Sequence, residues 1–298
     1  MLKYQQKWVF MRIAICGASG FIGTYLSRAL VVDGYEVVRV GREHFNSSEA
    51  LQNSLDGCDT VINLCGAPII KKWNEIYKHE LYISRIETTK KLLKAISNLE
   101  KKPSLFMSAS AVGIYKEDLV HDDNSQNYGT NYISLLVQDW EREAKKAEDI
   151  GLRCTVFRLG IVLGKNGGAV SEFKLAFKIG LGAIPGDGKQ PFSWVHIDDV
   201  VEVIKKTIQD TSMRGTYNLT APESVQMKTF MKTFGKAIKK PVWLNVPEKI
   251  IKIRYAEGAE SLLKGSFVMP SRLENEGYIF KYANLDEALT QIIHKKTL

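Results

Sequence analysis

Apolar and polar residues alternate along this chain in two rhythms. Short apolar runs at Arg12 to Cys16, Glu36 to Val40, Thr60 to Leu64, Pro103 to Met107 and Arg153 to Leu159 read as strands. Between them lie longer stretches whose apolar positions recur every three or four residues. One reaches about Val32. A second, Trp73 to Ser97, places Ile76, Leu81, Ile83, Ile86, Leu92 and Ile96 on an inner face. A third, Asn131 to Asp149, does so with Ile133, Leu136, Val137 and Trp140. Strands alternating with helices at this spacing predict a parallel sheet covered by helices on both faces.

Beyond Gly164 the rhythm changes. KNGGAV reads as a turn and Val170 to Ile179 as a short helix. A Gly/Pro-rich stretch then ends in a strand, Phe192 to Val195, and a helix from about Asp199 with Asp198 as its N-cap. Thr216 to Leu219 and Val242 to Val246 are short strands flanking a helix at Met227 to Ile238, and further helices follow. The expectation is a nucleotide-binding domain over 11–165 that also receives about 192–220. A smaller substrate-side α+β domain takes 166–191 and 221–298, and residues 1–10 are an N-terminal extension.

The turn after the first strand adds chemistry. Gly17, Gly20 and Gly23 follow Cys16 at three-residue spacing and open the first helix. Strand, glycine turn and helix in this order form a dinucleotide-binding turn. Gly17 lets the chain leave the strand, Gly20 lets the backbone approach a pyrophosphate, and Gly23 lets helix and strand pack closely. The helix N-terminus supplies N–H donors and the positive end of a dipole. Ser19, Phe21 and Ile22 complete this set of cofactor-side candidates. Arg42 stands just past the second strand, where an acidic residue would hold a ribose 2′-hydroxyl and an Arg accommodates a 2′-phosphate. NADP(H) is therefore the expected cofactor, with Glu43 the one acidic neighbour arguing for NAD(H). Leu64, Cys65 and Gly66 at the third strand end, with Ser108 on the fourth, extend the cofactor-side set. Together these features predict an α/β, Rossmann-like doubly wound sheet with a smaller α+β C-terminal domain.

Composition narrows the partners. With 298 residues, 45% hydrophobic and 25% charged, the chain suits one large or two modest domains with an ordinary core. No apolar run approaches the ~20 residues that span a bilayer, and MLKYQQKWVF is too polar for a secretory signal. A cytoplasmic location without a membrane partner is expected. The net charge of +8 raises nucleic acid as a partner, but the surplus lies in Lys pairs spread along the chain, such as Lys71–Lys72 and Lys239–Lys240. No basic block interleaves with aromatics, so no nucleic-acid partner is expected. Cys16, Cys58, Cys65 and Cys154 have no C-x-x-C spacing, which fits a reduced compartment without disulfides. The five histidines form no i, i+4 pair, so no metal site is expected.

GASGFIG, the strand end Val61-Ile62-Asn63-Leu64-Cys65-Gly66, the Ser-rich end of the fourth strand, FRLGIVLG and GDGKQPFSWVHIDDV together resemble the extended short-chain dehydrogenase/reductase superfamily. NLCGAPIIKKWNEIYKHELYISRIETTKKLL, SASAVGIY, YNLTAPESVQMKTFMKTFGKAIKKPVW and GAESLLKGSFVMPSRLENEGYIFKYANLDEAL narrow this. They resemble an atypical branch, the epimerase family with a C-terminal domain of unknown function. The likeness covers nearly all of Met11 to Ile293. It implies a two-lobed fold, NADP(H) binding and a largely undefined reaction, acting as a monomer or homodimer.

Most of the superfamily uses a Tyr-x-x-x-Lys pair with a Ser after strand four, the Tyr passing a proton and the Lys lowering its pKa. Ser110 matches the Ser. Tyr132 falls at the Tyr place in one register and at the Lys place in another; the first puts Leu136 at the Lys place, and neither supplies a lysine. The narrower family also lacks the pair. Arg85 falls where the superfamily carries an Asn; it reads either as an anion or carboxylate clamp or as a helix-surface Arg. Lys72 and Trp73 lie in a loop over the cleft, His196 supports its loop, and Tyr115 packs or lines the pocket. Two functions stay open. One is an NADP(H)-dependent oxidoreductase or epimerase on a small polar substrate, anionic if Arg85 faces it. The other is a non-catalytic NADP(H)-binding protein read by a partner; some family members carry a cell-division-inhibitor label.

Overall fold

The computed structural model describes residues 11–178 and 182–294. The extension expected at 1–10 and the end of the helix expected to reach Ile179 lie outside the described residues. The first lobe runs β1 (Arg12–Cys16), α1 (Phe21–Val32), β2 (Glu36–Val40), α2 (Ser48–Leu55), β3 (Thr60–Asn63), α3 (Glu75–Tyr82), α4 (Thr88–Ser97), β4 (Leu105–Ala111), β5 (Val120–His121), α5 (Tyr132–Lys145) and β6 (Arg153–Leu159). There follow β7 (Ile161–Leu163), α6 (Gly168–Lys178), β8 (Ala183–Pro185), β9 (Pro191–Phe192), β10 (Trp194–His196), α7 (Ile197–Gln209) and β11 (Gly215–Leu219). The chain closes with β12 (Val225–Gln226), α8 (Met227–Ala237), β13 (Leu244–Val246), α9 (Glu248–Tyr255), α10 (Glu260–Leu263), β14 (Phe267–Val268), α11 (Ser271–Asn275) and α12 (Leu285–His294).

Six of these strands form one sheet in the order β11-β6-β4-β3-β1-β2, every neighbouring pair parallel. The chain leaves β1 for β2 on one side and then returns across it to β3. This is the reversal at which doubly wound sheets bind ligands. β1, β3 and β4 are buried almost end to end because helices cover both faces. One apolar layer joins α1 and α7 to the sheet through Leu26, Leu30, Val200 and Ile204; the opposite layer uses Leu51 and Leu55 of α2 with Leu92 and Ile96 of α4. A separate core in the second lobe centres on Phe173, Phe177, Phe192, Phe230 and Phe234, with Phe192 stacked on Phe230 at 4.1 Å. Among the described residues no helix is long and apolar enough to cross a membrane.

Several elements differ from expectation. β4 spans Leu105–Ala111 rather than Pro103 to Met107, because it pairs with β6 over seven residues, from Leu105 opposite Arg153 to Ala111 opposite Leu159. The polar connection after Arg42 contains α2, whose N-cap Ser47 accepts from the Ala50 N–H at 3.0 Å. The long helix expected from Trp73 to Ser97 is α3 and α4 separated by a π-helical turn, Ile83–Glu87. Tyr77, Leu81, Arg85 and Thr89 are buried at steps of four, longer than the 3.6 of a regular helix, while Ile76 is 80% exposed. The N-cap of α7 is His196 rather than Asp198: its Nδ1 accepts from the Asp198 N–H at 3.0 Å.

Asp199 in the first turn of α7 holds the C-terminal segment against this lobe. Its fully buried carboxylate accepts from the N–H of Lys281 at 2.7 Å, the N–H of Tyr282 at 3.1 Å and the Tyr278 hydroxyl at 3.1 Å. Asp199→Ala strands those donors, and we expect it to lower the unfolding free energy by about 3 kcal/mol. Denaturant titration at neutral pH checks this; a change within error of zero would mean that the segment docks through apolar contacts alone.

Candidate functional site

The glycine turn is shaped by close backbone approaches. Gly17 takes φ of +83°, and a Cβ there would lie 3.0 Å from the Leu64 carbonyl carbon and oxygen. A Cβ on Gly23 would overlap the Gly17 carbonyl oxygen. Gly20 differs. It is exposed, and a Cβ there would meet the Gly17 carbonyl oxygen at 3.2 Å and nothing else within 4 Å among the described residues. Gly20 also caps α1 without a side-chain hydrogen bond, so the first turn offers its N–H groups and dipole end to an anion. Ser19 is exposed beside it. The ring of Phe21 turns the other way and fills the space left by Gly164, Gly167 and Gly168.

Arg42 begins a 3₁₀ turn, Arg42–Asn46, directly after β2, and is exposed. Glu43 folds back over Gly41 toward His44 Nδ1, 3.3 Å away, which in turn accepts from the Gly41 N–H at 3.1 Å. Among the described residues no carboxylate lies within 4.0 Å of the Arg42 guanidinium. Burial pushes the Cys65 thiol up to about 11 against the opposing pull of Arg42, so Arg42 acts across the ends of β2 and β3.

Next to this crevice is a cavity of about 410 Å³. Ile22, Leu64, Cys65 and Gly66 form the wall nearest the glycine turn, and the end of β4 with Val112 and Gly113 forms the floor. Ile133, Leu136, Val137 and Trp140 make α5 an apolar wall. A segment of the second lobe, Glu260 to Ser266, covers it, which the sequence reading did not single out. Tyr132, which no lysine accompanies in either register, begins α5. It does not line the cavity; its hydroxyl donates to the Lys78 carbonyl at 2.7 Å and its ring meets Trp73 edge-on at 5.7 Å. Burial raises its pKa further. It starts α5, so its ring is held against α3 while the residues one turn on face the cavity.

Arg85 reaches the cavity from the π-helical turn. It is 8% exposed, so the helix-surface reading does not hold. Its Nη2 donates to the Ala67 carbonyl at 2.9 Å and its Nη1 to the Leu81 carbonyl at 3.3 Å, while its guanidinium lies 5.4 Å from the Trp140 ring centre. Burial pulls its pKa down to about 10, leaving it charged at neutral pH. The π turn widens the helix at this one residue and aims its side chain past Gly66.

Ser110 lines the cavity at the end of β4, but its hydrogen is engaged. Its hydroxyl donates to Glu141 Oε1 at 2.6 Å. Arg158 grips the same carboxylate from behind, Nε to Oε1 at 2.7 Å and Nη2 to Oε2 at 2.8 Å, and donates through Nη1 to the Tyr115 hydroxyl at 2.8 Å. Glu141 and Arg158 are 4% and 2% exposed. Burial opposes the charge of Arg158, and Glu141 more than reverses this, raising its pKa. The sequence reading missed this pair, although a charged residue inside the buried run CTVFRL is its signal. Tyr115 both lines the cavity and belongs to this network, stacked on His121 at 4.5 Å. Ser108, one of the cofactor-side candidates, shares the face of Ser110 but sits two residues further from the end of β4, buried with its hydroxyl on the Ala109 carbonyl. Trp73 is buried with its indole N–H on the Ile69 carbonyl, and Lys72 is exposed. His196 is buried as a cap, its Nε2 3.0 Å from Gln291 Oε1 and its pKa lowered by burial. Among the described residues no His, Cys, Asp or Glu cluster could hold a metal.

Comparison with known proteins follows this geometry. A model of the NAD dependent epimerase/dehydratase family matches residues 13–220, and one of a domain of unknown function, DUF1731, matches 246–292. The chain is 33% identical to an epimerase family protein of Arabidopsis thaliana, the chloroplastic SDR39U1 homolog, over 97% of this chain and 88% of that one. It is likewise 33% identical to an epimerase family protein of Staphylococcus saprophyticus, over 94% of this chain and 98% of the relative. The crystal structure of human epimerase family protein SDR39U1 (isoform 2) with NADPH superposes with a TM-score of 0.88 at 31% identity, covering 96% of this chain and all 100% of that one. A UDP-glucuronic acid 4-epimerase of Bacillus cereus shares the fold, with a TM-score of 0.77 at 17% identity over 95% of this chain and 98% of its own.

The network behind Ser110 predicts unequal costs. Glu141→Ala leaves Arg158 buried without its carboxylate and is expected to destabilise the protein by about 3–5 kcal/mol. Tyr132→Phe removes one neutral hydrogen bond, for about 1 kcal/mol. Thermal and urea unfolding of the two variants measure the contrast, and equal losses would contradict it.

Proposed function

Because the chain belongs to the NAD-dependent epimerase/dehydratase family, with a C-terminal DUF1731 region, we propose that it binds NADP(H) and acts as an oxidoreductase or epimerase on a small molecule held in the 410 Å³ cavity. One observation carries this reading. The open face of Gly20 and the cavity share a crevice at the sheet reversal, and Ile22, two residues after Gly20, lines the cavity.

The donor set fits the cofactor. First-turn N–H groups of α1 would hold the pyrophosphate, and Gly20 presents no side chain where it would lie. Arg42, free of any carboxylate neighbour among the described residues, would hold the adenosine 2′-phosphate, and the NADPH-bound human relative supports that choice. When bound, the nicotinamide supplies hydride exchange. The protein's own share is to hold and orient the substrate. Ser110, its hydrogen directed at Glu141, offers lone pairs to the cavity and accepts from a substrate hydroxyl. Arg158 holds that carboxylate in place. A cavity of this volume lies near the low end of the ~300–1,000 Å³ typical of small-molecule sites.

A second reading, a non-catalytic NADP(H)-binding protein recognised by a partner, is favoured by one feature. Trp243, Leu244, Ile250 and Ile253 of the second lobe are exposed, Trp243 at 79%. NADPH consumption with a panel of small carbonyl compounds separates the two; catalysis of none by a protein that binds NADPH would favour recognition.

Arg42→Ala removes a charge-assisted pair and is expected to weaken NADPH by tenfold or more, about 1.5–3 kcal/mol, with little effect on NADH. Calorimetric titration with both cofactors tests this, and equal losses would remove Arg42 from the site. Gly20→Val should abolish binding of both while the thermal transition stays cooperative; retained NADPH binding would make the loop a structural turn.

A further inference from the structure

Two arginines are buried near the cavity, and the protein treats them differently. Arg158 is met by the Glu141 carboxylate along one edge, Nε to Oε1 and Nη2 to Oε2. Arg85 is more than nine-tenths buried, yet its recorded partners are the Leu81 and Ala67 carbonyls and the Ser84 hydroxyl. No carboxylate lies within 4.0 Å of it among the described residues, and the groups that act on its charge are the phenols of Tyr77 and Tyr132. Carbonyl dipoles satisfy hydrogen bonds but leave the unit charge uncompensated, which is costly in a site this dry. The guanidinium forms part of the cavity wall, so an anion arriving there supplies what the chain omits.

We infer that the cavity binds a small organic acid whose carboxylate is clasped by Arg85. This rests on the proposed reading of the cavity as a substrate site. The α5 wall, Ile133, Leu136, Val137 and Trp140, gives the body of the ligand an apolar surface, and Ser110 at the end of β4 accepts from a hydroxyl it carries. The cavity's described charges balance, Arg85 and Lys264 against Glu117 and Glu260, but they pair unevenly. Lys264 in the covering segment is answered by Glu117 and Glu260, each at 3.4 Å, so Arg85 alone among the cavity's described cations lacks an acidic partner. One unanswered cation matches a monoanion, and its planar fork matches a carboxylate. A phosphate ester, with up to two charges, would need a second free cation. Gly66 makes the clasp possible, since a Cβ there would lie 3.0 Å from Arg85 Nη2.

The test compares 4-methylpentanoate, its primary amide and inorganic phosphate, titrated calorimetrically with and without NADPH into wild-type protein, Arg85→Met and Arg85→Lys. The wild type is expected to bind the acid about tenfold or more tighter than the amide. Arg85→Met should abolish that preference and leave NADPH affinity unchanged; Arg85→Lys should keep part of it. If Arg85→Met does not unfold cooperatively, Arg85→Lys carries the comparison alone. Equal binding of acid and amide, no binding of the acid, phosphate binding tighter than the acid, or an equal loss of NADPH in Arg85→Met would each overturn the inference. The comparison without NADPH decides it independently. A wild type that binds the acid but not NADPH would overturn the cofactor reading alone.

Discussion

The contact on which this structure turns is the approach of Gly23 to the carbonyl of Gly17. Helix α1 packs so closely on the end of β1 that a single methyl at Gly23 would overlap that oxygen, and Gly17 itself lies against the carbonyl of Leu64. Three backbones, from β1, α1 and the end of β3, thus meet without intervening side chains. The consequence is directional. The N-terminus of α1, open at Gly20, points into the crevice where the sheet order reverses, and Leu64 to Gly66 are held as its opposite wall. Fixed dipoles and the cavity wall therefore come from the same joint.

Around that joint, polarity is distributed sparingly. The wall that α5 gives the cavity is Ile133, Leu136, Val137 and Trp140. Charge comes instead from two buried arginines on different elements. Arg158 sits inside β6 and is neutralised by Glu141, a pair that also fixes the hydroxyl of Ser110 and the phenol of Tyr115. Arg85 sits on a π-helical turn and faces the cavity with its charge unanswered. A buried pair rigidifies; a buried unpaired cation attracts. The two arginines thus divide the tasks of holding the site and binding within it.

The second lobe completes the enclosure and is tied back by polar contacts as well as by its phenylalanine core. Asp199 anchors the segment at 278–282, and Ser193 receives the Val268 N–H at 3.0 Å, fixing the strand that follows the covering segment. Residues 215–219 return to the large sheet as its edge strand β11, paired with β6.

Local periodicity determined much of this molecule by itself. The strands at Arg12–Cys16, Glu36–Val40 and Arg153–Leu159 and the helix ending at Val32 were legible to the residue, because buried parallel strands are short apolar runs and the glycine turn has a fixed spacing. The parallel, doubly wound architecture followed from the same patterns, and the family from the resemblance carried by motifs such as GASGFIG and FRLGIVLG. Tertiary structure decided what periodicity cannot encode. The π turn at Ile83–Glu87 interrupts the 3.6-residue rhythm, so that Arg85 is buried while Ile76 and Ile83 are exposed. Whether Ser110 offers a proton or a lone pair depended on Glu141, thirty-one positions away in sequence and 2.6 Å away in space. Tyr132 shares a helix face with Leu136, yet at the start of α5 its hydroxyl is held by the Lys78 carbonyl and its ring by Trp73, outside the cavity. Spacing along a chain sets which residues share a face; which face meets the cavity, and which charge finds a partner there, is set by packing between elements distant in sequence.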